Sequence, residues 1–158
     1  MEAALTDLIA PEIRARLLAS FAAQGLMAHL GARIAAIAPG CVTLHLPSGP
    51  HLTQQNGYFH AGGTAAIADS AGGYAAFTLF PPGFNVLTVE FKLNLLSPAQ
   101  GDHLEATGRV IKPGRRLTIC QLDVWGVSGD ERRHVATGLQ TLIRVAETRA
   151  DASRNAPP

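Results

Sequence analysis

The sequence predicts an α+β domain in which a curved antiparallel sheet wraps around one long central helix. Three observations carry this. From about His60 to Leu79 the chain is rich in Ala and Gly, apolar nearly all round, and free of strong stop signals. Four strand-like segments follow at hairpin-like spacing. The first of these alternates apolar and polar residues, so it has one face to bury, and an apolar helix is the natural cover for it.

The elements run in this order. "DLIAPEIRARLLASFAAQG" places Ile13, Leu17, Leu18 and Phe21 at helical spacing; Pro11 suits the first turn and Gly25 a stop. Two short strands are expected next, Ala28–Ile37 and Cys41–Leu46, punctuated by "APG" and "PSGP". Pro47 to Tyr58 reads as a loop. The long helix follows. Its glycines, Gly62, Gly63, Gly72 and Gly73, weaken it and imply that another backbone packs close. "FPPG" ends it. In Val86–Leu96, Leu87, Val89, Phe91, Leu93 and Leu95 share one face, and Thr88, Glu90, Lys92 and Asn94 the other. Leu104–Lys112, Leu117–Val127 and Val135–Val145 complete a four-strand meander, with "KPGR" and "SGDE" as turns. Residues 1–25 thus form an N-terminal helix, 26–146 the main domain, and 147–158 a polar, disordered tail. Neither repeat nor linker interrupts them.

Bulk properties narrow the function. A chain of 158 residues favours one domain with a full core. It is 47% hydrophobic and 16% charged, so a partner chain is expected to cover part of its surface. A formal net charge of +1 gives no general pull toward nucleic acid or anionic lipid. Cys41 and Cys120 each lie in an apolar run and read as buried thiols rather than a disulfide framework. No signal peptide and no membrane span is expected, and a reducing cytoplasm fits best.

One residue breaks the pattern. Between Ile34 and Val89, Asp69 is the sole Asp, Glu, Lys or Arg. A lone carboxylate in an apolar setting loses hydration, which raises its pKa. Asp69 is therefore either satisfied by partners such as Thr64, Ser70 or a neighbouring strand, or kept for its chemistry. "HAGG" opens the same helix, which sets the amides near Ala61 and Gly62 among the unpaired N–H groups of the first turn. A developing oxyanion is stabilised at such a place. The preceding loop supplies Gln54, Gln55 and Asn56. Carboxylate, helix N-terminus and carboxamides together suit acyl transfer to water. Yet Asp69 lies roughly 12 Å along the axis from Ala61, so one helix cannot bring both to one carbonyl. Two antiparallel copies related by a two-fold axis can, and the helical glycines would permit their approach. A homodimer with interfacial sites is expected.

At these residues the sequence resembles the hotdog-fold acyl-CoA thioesterases of the PaaI type, linked to phenylacetic acid degradation. The pattern is an Asn or Gln in the loop, Gly, HGG, then an Asp or Glu in an Ala/Gly-rich helix; here it reads Gln54/Gln55, Gly57, His60-Ala61-Gly62 and Asp69. "LTVEFKLNLLSPAQGDHLEATGRVIKPGRR" resembles the downstream strand with its Pro-Ala turn and Gly-Arg turn. The resemblance spans roughly residues 26–145 and implies an acyl-CoA substrate, aromatic acyl groups included, with a homodimer or dimer of dimers. It implies that Asp69 is general base or nucleophile, that the Ala61 amide polarises the carbonyl, that Gln54 or Gln55 holds the thioester or water, and that Thr88 positions water. Ala61 replaces the usual first Gly; its N–H survives, but its methyl narrows the approach.

Other polar groups have plainer readings beside the sharper ones. His60 is read as orienting the loop rather than moving protons. Lys112, Arg115 and Arg116 are either solvated turn charges or contacts to CoA phosphates. Trp125 and Tyr74 are packing groups, with Tyr74 a candidate lining of the acyl pocket. His45, His51, His103 and His134 show no metal-ligand spacing, and no metal or redox cofactor is expected. No G-x-S-x-G or P-loop is present. The D-x-N-x-x-H of MaoC-type hydratases is also absent, and the pattern follows thioesterases better than acyl dehydratases. The rivals are an acyl dehydratase or hydratase of the same fold and a non-catalytic acyl-CoA-binding dimer; Asp69 argues against the latter.

Overall fold

The computed structural model describes residues 9–148; the predicted tail from 149 onward lies outside the described residues. The elements are α1 (Pro11–Ala22), α2 (Gly25–Leu30), β1 (Arg33–Ala38), β2 (Cys41–Pro47), α3 (Ala61–Phe77), β3 (Phe84–Leu95), β4 (His103–Lys112), β5 (Leu117–Ser128) and β6 (Glu131–Ala146). The six strands form one antiparallel sheet in the order β1-β2-β4-β5-β6-β3. Helix α3 packs against β2, β3, β4, β5 and β6.

From Ile67 onward α3 is buried at every residue except Asp69, as its apolar surface requires, while Ala61 and Gly62 in its first turn are exposed. Ile67, Ala68, Ala71, Ala75 and Phe77 are buried against Leu44, Leu46, Leu104, Leu122 and Leu142 of the sheet. Helix α1 joins the same core through Leu17, and Arg16 reaches over to the Phe80 and Pro81 carbonyls.

Four expectations are corrected. Gly25 does not stop the first helix and Ala28 does not begin a strand. A second short helix spans Gly25–Leu30 and closes on Gly31, whose φ of 73° terminates it without a Cβ penalty. The last four strands are not a simple meander. β4, β5 and β6 are, but β3 crosses to the far edge and pairs with β6 alone, so sequence neighbours β3 and β4 never meet. The even alternation predicted for β3 is broken by a bulge between Thr88 and Glu90. Val86 packs on the core before the bulge and Leu93 after it, so the inward parity inverts and Thr88 turns toward the helix. Finally, the close backbone approach implied by the helical glycines is met at Gly72 by the chain's own sheet. A Cβ on Gly108 of β4 would strike the backbone at Ala71 and Gly72.

Candidate active site

Asp69 projects from the middle of α3 toward β3 and β6. Its Oδ1 accepts from Thr88 Oγ1 at 2.7 Å and from Gln140 Nε2 at 2.7 Å. In the single chain Asp69 is half-buried rather than enclosed, which corrects the expectation of a fully desolvated group. It lines a cavity shared with Thr88, Tyr74, Phe77, Asn85 and Leu87. Ser20 of α1 and Gln24, the N-cap of α2, also line it. Tyr74 Oη receives a hydrogen bond from Gln24 Nε2 at 2.9 Å and lies 3.2 Å from Ser20 Oγ. Burial pushes the Tyr74 phenol up, so it is neutral near pH 7.

The second group of predicted residues gathers elsewhere. His60 is the N-cap of α3, and its Nδ1 accepts from the Gly62 amide at 2.8 Å. The amides of Gly63 and Thr64 both point to the His60 carbonyl. Among the described residues the Ala61 N–H has no acceptor, so of the two amides singled out in the sequence it is the open one. Gln54, Gln55, Tyr58, His60 and Ala61 line a cavity beside Leu95. The Gln54 carboxamide oxygen is taken by the Asn56 main-chain amide, which leaves its NH2 group as a donor. Gln55 and Asn56 are exposed at the loop tip.

Asp69 and Ala61 therefore line two different cavities of one chain. Lys112, Arg115 and Arg116 lie exposed on the β4–β5 hairpin and line neither. Trp125 stacks on His134 on the outward side of the sheet, with Arg132 over its ring. Sequence spacing gave no metal set, yet pairing of β2 with β4 brings His45, His103 and Glu105 within 4.8 Å of one another. Glu105 is already bonded by Arg132 as well as His45, so its charge is answered by the protein. Gln140, Asn85 and Gln24 were missed from sequence. For Gln140 a signal existed: a carboxamide at an inward position of β6, between Gly138 and Leu142.

Comparison with known proteins places this geometry. Residues 56–132 match the Thioesterase superfamily. A Halobacterium salinarum protein with the provisional name of an esterase is 30% identical over 106 residues, 64% of this chain and 70% of that one. The chain belongs to the thioesterase superfamily. A thioesterase family protein from Silicibacter pomeroyi superposes with a TM-score of 0.83 at 43% identity, over 85% of this chain and 99% of that one. The Escherichia coli PaaI protein from the phenylacetic acid degradation operon superposes with a TM-score of 0.77 over 91% of this chain and 98% of that one; at 19% identity it shares the fold. As a member of the thioesterase superfamily the protein has the hotdog fold and is a thioester hydrolase. Among the described residues no helix is long and apolar enough to cross a membrane.

Proposed function

We propose that the protein is an acyl-CoA thioesterase that converts acyl-CoA and water to a free acid and CoA, with Asp69 as the working carboxylate. One observation carries this reading: the sole carboxylate of a long apolar stretch lines a cavity and is held there by a side-chain hydroxyl. In this scheme Asp69 takes a proton from water, and the water oxygen bonds to the thioester carbon. The C–S bond then breaks, and the proton passes to the departing thiolate. A helix-terminal N–H, that of Ala61, holds the oxyanion between those steps. Tyr74 and Phe77 offer ring surface to the acyl group. Water and a carboxylate suffice chemically, so the scheme calls for no further cofactor.

The two groups reach one carbonyl only if a second chain supplies the other half. We place that chain on β3, the sheet edge. Leu87, Val89, Phe91 and Leu95 are exposed there at 58%, 56%, 42% and 58%, beside an unpaired row of backbone donors and acceptors. An apolar open edge is a template for a second copy. A cytosolic homodimer with two interfacial sites follows.

The test is Asp69→Asn against a panel of aromatic and aliphatic acyl-CoAs, read by thiol release. The variant keeps CoA binding and dimer mass while hydrolysis is lost. Undiminished turnover would refute the role of Asp69. Binding of the panel without turnover by the unaltered protein would favour the non-catalytic dimer.

A further inference from the structure

The reading of Asp69 leaves one buried polar side chain without a purpose. Gln140 sits in the middle of β6 and is 1% exposed. Its Nε2 donates to Asp69 Oδ1 at 2.7 Å, and it lies 3.1 Å from both the Asp69 carbonyl oxygen and Thr88 Oγ1. Its Oε1 is buried and accepts no hydrogen bond among the described residues. That oxygen rests on Gly72, and a Cβ at Gly72 would overlap it.

This is an unfavourable way to fill a core. An orphaned buried acceptor is destabilising, and an apolar side chain of the same length would avoid it. Reversing the amide gives no relief. It would set an acceptor against the carboxylate and carbonyl oxygens of Asp69, both acceptors when the carboxylate is ionised. The NH2 group is thus directed to Asp69 at the expense of the oxygen.

We propose that Gln140 is the positioning residue of the hydrolytic site: with Thr88 it occupies Oδ1 of Asp69 and fixes the carboxylate so that Oδ2 alone faces the cavity. Among the described residues Oδ2 accepts no hydrogen bond, while Oδ1 accepts two. The helix carries the carboxylate, and two neighbouring strands, β3 and β6, hold its orientation. Fixing one oxygen removes the rotations that would turn the reactive lone pair away from water, which is the alignment term in catalysis.

The inference rests on Asp69 being the working group, so Asp69→Asn is measured alongside. The diagnostic variant is Gln140→Met, which keeps the length and removes the donor and the orphan together. Its melting temperature is expected to equal or exceed that of the unaltered protein. Its kcat is expected to fall roughly 10- to 100-fold with KM held within about threefold. Should the methionine variant fail to fold, Gln140→Leu also removes the donor and the orphan and is read the same way. If Asp69→Asn is inactive while the Gln140 variant keeps kcat, Gln140 is packing only and the proposal is overturned. A variant in which kcat and KM are impaired together overturns it too. If Asp69→Asn remains active, the reading beneath both fails first.

Discussion

The contact between Gly108 and α3 ties stability and activity to one methyl group. In Gly108→Ala the new Cβ would meet Gly72 N and the Ala71 carbonyl carbon and oxygen, all backbone atoms that cannot rotate aside. Ordinary van der Waals contact is 3.4–4 Å, so the overlap is roughly 1 Å and the helix must lift by about that much. Overpacking of this kind costs about 3 kcal/mol. For a chain of this size that lowers the melting temperature by about 6–12 °C. Asp69 lies within a turn of Gly72 on the same helix. The lift stretches the 2.7 Å bonds from Thr88 and Gln140, and a displacement near 1 Å costs about 10²-fold in turnover. Differential scanning calorimetry and thiol-release kinetics on the same preparation check both numbers. Gly25→Ala is the control, because a Cβ there meets nothing within 4 Å and should move the melting temperature by less than about 2 °C. A Gly108→Ala protein that melts with the control and turns over normally would show that helix and sheet are not in backbone contact.

Two further outcomes concern groups outside the site. Burial pushes the Cys120 thiol up to about 12, and its Sγ donates to the Gly72 carbonyl at 3.5 Å. The folded protein at pH 8 should therefore leave Cys120 unmodified by iodoacetamide until denaturant is added; mass-spectrometric mapping of label at Cys120 in the folded state would contradict the packing. Burial first, and then His45, hold His103 below the ordinary imidazole range; Arg33 acts in the same sense, while Glu105 and Asp102 oppose it. Folding disfavours the imidazolium, so this stability is present above about pH 6.5 and is lost as pH falls below it. The melting temperature should drop more between pH 7.5 and 5.5 for the unaltered protein than for His103→Gln; an equal drop removes His103 from the account.

The class of fold was legible because it depends on pattern. An apolar helix with no polar face has to be wrapped, and strands with one apolar side are what wraps it. The path of the sheet was not legible. Hydrophobic alternation says which face of β3 is buried but not which strand lies beside it, and adjacency in sequence suggested β4 where the fold uses β6. A single extra residue near Val89 inverted the parity of β3, so Thr88 was set on the polar face by pattern while it points at the helix. Asp69 stood out because a charge without company is visible in any apolar run. Gln140 stood out less, because an uncharged side chain contrasts weakly with a strand of mixed polarity; its one signal was its inward position in β6. Glycine spacing announced close backbone contact but not that Gly108 of the sheet makes it at Gly72.

The order of strands also sets a timetable. β6 is threaded between β5 and β3, so β3, made much earlier on the ribosome, has no strand partner among the described residues until β6 arrives. The carboxylate, its hydroxyl and its amide are brought together by that last insertion and by nothing before it. A nascent or clipped chain stopping short of β6 would thus hold a collapsed helix and a loose ribbon, chemically inert and with a second adhesive border. Quality control by proteases has a clear mark to read, and hydrolytic competence is delayed until the sheet is closed.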